Sequence, residues 1–275
     1  MTRFWASSLL LITLPGVAGN VVTVPAEAVQ TIDGDMSQNQ ACELALSQAK
    51  KNALTQHFGI LTGQKTMLEC DATIQKETGN DCELFESSWS LINSNGFIKQ
   101  IKNQQQVAEF SSELETRICR VSADFMIEEF NGTPDASFET KIGINEGRIL
   151  TVRDTPSLSI TSNRAAFHYV FFWAPYEDQE TYYRLFPNAV DTQAHAQRKL
   201  NIPSTNAEKE YQLEVTLPKG FSMSSEYLIL LSFKQSQSDV PESISESGFN
   251  NWLQTKSRDL WKQDRISYRI IGEEP

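Results

Sequence analysis

The sequence predicts an α+β chain: an N-terminal module with one long helix on an antiparallel sheet, then a mainly β sandwich domain with a C-terminal helix. Three observations carry this expectation. The stretch Ala165–Trp173 is apolar on both alternating faces, Phe167, Tyr169, Phe171 and Trp173 on one side and Ala166, Val170 and Phe172 on the other, as a strand covered by two layers requires. Cys42, Leu46, Ala49 and Ala53 recur at helical steps behind a Ser37–Gln40 capping box, which marks one long helix laid closely on a sheet. Between residues 145 and 271 short β-prone runs are punctuated by proline and glycine, the pattern of packed antiparallel strands.

The chain has 275 residues, enough for two ordinary domains, and 40% of them are hydrophobic, which argues for globular structure throughout. Residues 1–19 read as a secretory signal peptide: Arg3, a short apolar run and the small residues Val17-Ala18-Gly19, with cleavage expected after Gly19. The apolar run is too short to cross a bilayer, and no later stretch is long enough to be a transmembrane segment. No cysteine follows the expected cut, so a lipid anchor lacks its acceptor. The expectation is a periplasmic or secreted protein that is soluble once the signal is removed. Net charge is −11, and losing Arg3 makes it more negative, so phosphate backbones are repelled and nucleic acid is excluded as a partner.

The module at 20–130 is expected to open with extended pieces at Val21–Val24 and Val29–Ile32, followed by the helix, with Gly59 ending it in a left-handed turn. Gly59 to Thr66 nearly spells a phosphate-binding loop, but Gln64 replaces the second glycine and the segment follows a helix instead of a strand. Residues 60–76 read as a strand, and 93–96 as a hairpin turn between Trp89–Leu91 and Phe97–Ile101. Val107, Phe110 and Leu114 fit either a strand or a helical turn; Arg117–Ile127 alternates as a half-buried strand. All four cysteines, Cys42, Cys70, Cys82 and Cys119, fall in this module of an exported chain, which implies two disulfides. Of the three pairings, Cys70 with Cys82 and Cys42 with Cys119 are favoured. Zinc is disfavoured because no Cys-x-x-Cys pair exists and the histidines are scattered.

Turn formers at 131–144 are read as a linker. The sandwich at 145–275 is expected to use Arg148–Val152, Leu158–Ile160, the aromatic ribbon, a second hairpin strand ending at Phe186-Pro187-Asn188, Tyr211–Leu217, Tyr227–Phe233 and a last strand over Ile266–Ile270. Phe249, Trp252 and Leu253 sit at helical spacing before that strand.

Two resemblances add to this reading. Ala41-Cys42-Glu43-x-Ala45-x-x-x-Ala49-Lys50-x-x-Ala53, then Val121-x-Ala123, resembles the small N-terminal module of flagellar assembly protein T and related bacterial envelope proteins. That resemblance implies a non-enzymatic part in periplasmic assemblies. Tyr183-x-Leu185-Phe186-Pro187-Asn188, Leu217-Pro218-x-Gly220 and Phe249-Asn-x-Trp252-Leu253 resemble an uncharacterised all-β domain of bacterial envelope and signalling proteins, which implies a fold but no activity.

A search for chemistry finds no convergent groups. His168 lies in the apolar ribbon and reads as a hydrogen-bonded core residue; His195 lies in the polar stretch Asp191–Arg198, where Asp191 could polarise it. There is no Gly-x-Ser-x-Gly elbow. No catalytic residue, cofactor or metal is assigned, and the chain is expected not to be an enzyme. The expected function is an assembly or accessory role through contacts with an envelope protein partner, with Phe186, Pro187, Asn188 and the loop Ala189–Leu200 as candidate contacts. The rival expectation is a glycan or small-ligand module using Tyr176, Tyr182 and Tyr183 at the hairpin tip as exposed stacking faces.

Overall fold

The computed structural model describes residues 20–34, 36–59, 95–174, 181–193, 195–217, 219 and 221–272. The expected signal peptide, the Cys70–Cys82 bridge, the strand at 60–76, most of the 93–96 hairpin and Tyr176 lie outside the described residues.

The predicted α+β architecture is present. In the first module β1 (Val21–Thr31), β2 (Gly96–Ser111) and β3 (Thr116–Glu129) form an antiparallel sheet in the order β1-β3-β2, with α1 (Gln38–Phe58) on one face. The two extended pieces read before the helix are one strand. Pro25 does not break it, because β1 is an edge strand and alternate residues direct their N–H groups away from β3, where a missing donor costs no ladder bond. Ser37 and Gln40 form the expected capping box, satisfying donors at the start of α1. Ala41, Ala45, Ala49 and Ala53 are fully buried, so the helix axis lies close to the sheet. Cys42 is bonded to Cys119, tying α1 to the central strand as the favoured pairing has it. Gly59 stops the helix with a positive φ of 79°, but its ψ is extended, so the turn is not the left-handed helical one expected. Val107 and Phe110 belong to β2 and Leu114 to the β2–β3 turn, which resolves the open choice in favour of strand.

The larger unit holds β4 (Thr140–Ile144), β5 (Ile149–Thr151), β6 (Leu158–Trp173), β7 (Thr181–Phe186), β8 (Gln197–Ile202), β9 (Met223–Phe233), β10 (Ser243–Ser245), α2 (Glu246–Gln254), a 3-10 turn at Arg258–Leu260 and β11 (Trp261–Ile271). Its strands run β10-β7-β6-β9-β11-β5, with β4 and β8 also paired to β6. The long strand β6 organises everything. Its first half pairs with β4 and β8, the pairing slips between Thr161 and Ala166, and its second half pairs with β7 and β9. One strand thus serves both layers of the sandwich.

Alternation along β6 then fills two cores. Val170 joins Leu158, Ile160, Phe186, Leu200, Ile202, Leu228, Leu230 and Ile266 between the layers. Tyr169, Phe171 and Trp173 face the other way, against Tyr227, Ile229, Leu231, Phe233, Phe249, Leu253 and Trp261, where α2 covers the sheet. The ribbon is covered on both faces, as its composition demanded.

Three expected elements differ. Leu158–Ile160 and the aromatic ribbon are one continuous strand. Tyr211–Leu217 is not a strand, although Tyr211 and Leu213 pack on the inter-layer core, and Val215 and Leu217 pack against Leu150 and Ile270. The alternation was real, but it reports a side-chain pattern and not a hydrogen-bond partner. Gln197–Leu200, read as the end of the loop Ala189–Leu200, belongs to β8, because Leu200 and Ile202 supply its buried face.

The stretch read as a linker ends in strand β4, and what precedes it is docked. Phe130 is 5% exposed, 5.6 Å from Phe97 of β2 and 5.5 Å from Trp261 of β11 between ring centroids. Gln254 Nε2 donates to the Glu129 carbonyl, Asn131 Nδ2 donates to the Gln254 carbonyl, and the Arg258 amide donates to the Asn131 carbonyl. Arg258 stacks on Trp261 at 3.8 Å and donates to its carbonyl; burial alone pulls its pKa down to about 10. Phe97 and Phe130 therefore sit in the same cluster as the aromatic face of the larger sheet.

Candidate functional site

Among the described residues, strand β6 carries the one histidine that meets a hydroxyl, and its surroundings decide what it can do. His168 is fully buried. Its Nε2 lies 2.9 Å from the Gln197 carbonyl oxygen, which only accepts, so Nε2 carries the proton. Nδ1 is then an acceptor for Ser232 Oγ at 2.8 Å, and Ser232 in turn accepts from Thr140 Oγ1 at 2.7 Å. The His168 amide donates to Gln193 Oε1 at 2.7 Å. β4, β6, β9 and the start of β8 are laced together by this chain of polar groups. Burial holds the imidazole below its ordinary pKa of 6.5, opposed by the Gln197 carbonyl.

A serine donating to a histidine is half of a nucleophile–base pair, but the rest is missing here. The group orienting the ring is a neutral carbonyl, not a carboxylate, and Ser232 is as fully buried as His168. No substrate atom can approach Ser232 Oγ without opening the sandwich. The pairing satisfies two buried polar side chains inside an apolar sheet. His195, by contrast, is exposed. Asp191 does not serve it: the carboxylate is fully buried and accepts from the Ser204 amide at 2.8 Å, the Ser204 hydroxyl and the Tyr211 hydroxyl at 2.7 Å. Burial and the adjacent carboxylate push the Tyr211 hydroxyl well above its usual pKa. Among the described residues no group of three or more His, Cys, Asp or Glu side chains is placed to hold a metal ion.

The predicted contact residues separate by burial. Tyr182 is 3% exposed and packs its ring 5.0 Å from Phe249, so it is core and not a stacking platform. Tyr183, next along the strand, is 41% exposed. The alternation of β7 forces this split, which reading both tyrosines as exposed ignored. Phe186 is fully buried between the layers and cannot touch a partner. Pro187 and Asn188 are half-buried. Asn188 is spent on the turn: its Oδ1 accepts the amides of Val190 and Asp191, and its Nδ2 donates to the Leu185 carbonyl. The Phe186–Pro187–Asn188 turn is thus a structural corner. Cys42 and Cys119 are buried and bonded to each other.

Sequence reasoning missed Ser232 and Thr140 as partners of His168. Ser232 had a visible signal, since it is the lone polar residue in the apolar run Leu228–Phe233, and such a residue in a central strand needs a buried partner. Glu226, 4% exposed in the same strand and accepting from the Tyr268 hydroxyl at 2.6 Å, carried a similar signal.

Compared with known proteins, the chain matches no protein-family model and no curated protein. Among the described residues no helix is long and apolar enough to cross a membrane.

Proposed function

We propose that the chain is a non-catalytic assembly or accessory protein of the bacterial cell envelope, exported to the periplasm and acting through protein–protein contacts. The observation that carries this reading is the sealing of His168 and Ser232, the one hydroxyl–imidazole pair among the described residues, inside the sandwich. Three further features support it: the signal-like first residues, the buried Cys42–Cys119 bond suited to an oxidising compartment, and the resemblance of the α1 pattern to the N-terminal module of flagellar assembly protein T. The acidic charge supports the exclusion of nucleic acid as a partner.

The test is chemical cross-linking of a tagged chain in living cells, after fractionation, combined with deletion of its gene. The reading expects the tagged chain in the periplasmic fraction, cross-linked to a defined envelope protein, with a defect in an envelope structure on deletion. Cytoplasmic retention, or an intact envelope with no cross-linked partner, contradicts it.

Of the tyrosines on which the glycan reading rests, Tyr183 is exposed and Tyr182 is buried. A glycan array with saturable binding lost in Tyr183→Ala would favour it over the assembly role; a flat array removes it.

A further inference from the structure

Among the described residues, nothing pairs with the outer edge of β2 at its far end. Glu129 donates to the Asn20 carbonyl, so the odd-numbered residues of β3 bond to β1 and the even-numbered ones to β2. Through the register Val107 with Arg120 and Glu109 with Ile118, the amides and carbonyls of Gln106, Ala108 and Phe110 point away from the sheet. Among the described residues no strand pairs with that edge. The run Gln105–Ser111 is regular; the two irregularities in β2 lie before it, between Ile98 and Gln100 and between Lys102 and Gln105. It contains no proline and no lysine, two residues that commonly guard an edge.

The two faces of this edge differ. Ala108, opposite Cys119, and Phe110 lie on the side where α1 packs, and Phe110 is 67% exposed. Val107, 49% exposed, and Glu109 lie on the opposite side. The adjoining turn adds Leu114, 53% exposed, between Glu113 and Glu115, which are exposed and have no ion-pair partner among the described residues. Among the described residues, the ion pair of Glu109 is a surface contact with Arg120, at 3.3 Å, which solvent weakens.

We propose that the Gln105–Ser111 edge of β2 takes up an extended segment of a partner protein in which apolar residues alternate with lysine or arginine. The added strand bonds to Gln106, Ala108 and Phe110, sets its apolar side chains beside Phe110 and its basic ones beside Glu109, and reaches Glu113 and Glu115 at the turn. A basic strand fits the charge of the molecule, whereas a second copy of a chain with net charge −11 is repelled. This deepens the assembly reading above and rests on it by naming the surface and the chemistry of the partner.

The probe is a synthetic nine-residue peptide of alternating valine and lysine, with an alternating serine and lysine peptide as control, titrated into the whole chain while amide exchange is followed residue by residue. The expected result is fast exchange at Gln106, Ala108 and Phe110 in the protein alone and saturable protection of all three by the valine peptide. Phe110→Ser should weaken binding by about tenfold or more, as truncating an apolar anchor does. Ala108→Pro, which removes the central donor, should abolish it; thermal melts and far-ultraviolet spectra establish that each variant is folded. Three outcomes overturn the proposal: equal binding of the serine peptide, which would mean charge alone; no protection at saturating peptide; or protection of the three amides in the protein alone, which would mean that another part of the chain or a second copy already covers the edge. Failure of the peptide leaves the cross-linking test of the assembly role standing, so the two readings fail separately.

Discussion

Replacing Phe130 with alanine tests whether the two halves of the chain share one core. The ring is 5% exposed and bridges Phe97 of the first module and Trp261 of the second, at 5.6 and 5.5 Å. Removing a buried phenylalanine side chain costs about 3–5 kcal/mol, the transfer loss plus the cavity left behind. A chain of this size loses about 2–4 °C of melting temperature per kcal/mol, so the variant should melt about 6–20 °C lower. Differential scanning calorimetry reads the distinction that matters. With a shared core, the wild-type chain shows one cooperative transition and Phe130→Ala moves it as a whole, while Phe130→Leu recovers much of the loss. Two transitions, of which only one moves, or a melting temperature unchanged within error, would refute the shared core and return the stretch after β3 to a flexible tether.

Three further outcomes follow from the geometry. Below pH 6.5 an unfolded His168 binds a proton that the buried ring resists, so its stabilising contribution is complete above that value and falls by up to about 1.4 kcal/mol per pH unit below it. Urea denaturation at pH 7 and 5.5 should therefore show a steeper loss for the wild type than for His168→Gln; parallel losses would contradict the buried neutral ring. Asp191→Ala leaves the Ser204 and Tyr211 donors buried without their acceptor and should cost about 3 kcal/mol in the same assay, with Asp191→Asn milder. Removing the Cys42–Cys119 bond with paired alanines frees a loop of sequence separation 77, worth at most about 4.5 kcal/mol by chain entropy, and a loss below about 1 kcal/mol would contradict its role as the tie between α1 and β3.

Much of this fold was legible because local signals agreed. The Ser37–Gln40 box and the alanine stripe fix α1, and the two apolar faces of Ala165–Trp173 can be satisfied only by a covered strand. What stayed hidden depends on pairing, which periodicity does not encode. Tyr211–Leu217 alternates as cleanly as any strand, yet it buries its apolar face without a ladder, while β8 gains a ladder with only two buried side chains. The join of Leu158–Ile160 to the ribbon was obscured by the polar residues Thr161–Arg164, where β6 changes partners. At the candidate site, burial of His168 was readable from its neighbours, but Thr140 lies in a stretch whose turn formers suggested a linker. Tyr182 was misjudged because a hairpin tip was taken as exposed on both sides, and Phe186 because it was read with the turn it precedes and not with the buried face of β7.

Carbethoxylation of the folded chain, followed by peptide mass spectrometry, probes the sealed sandwich most directly. His195, exposed to solvent, should label rapidly, and His168 should stay unmodified until the protein is denatured. Labelling of His168 in the native state at a rate near that of His195 would mean that solvent reaches the Ser232–His168 pair, and the non-catalytic reading would fail with it.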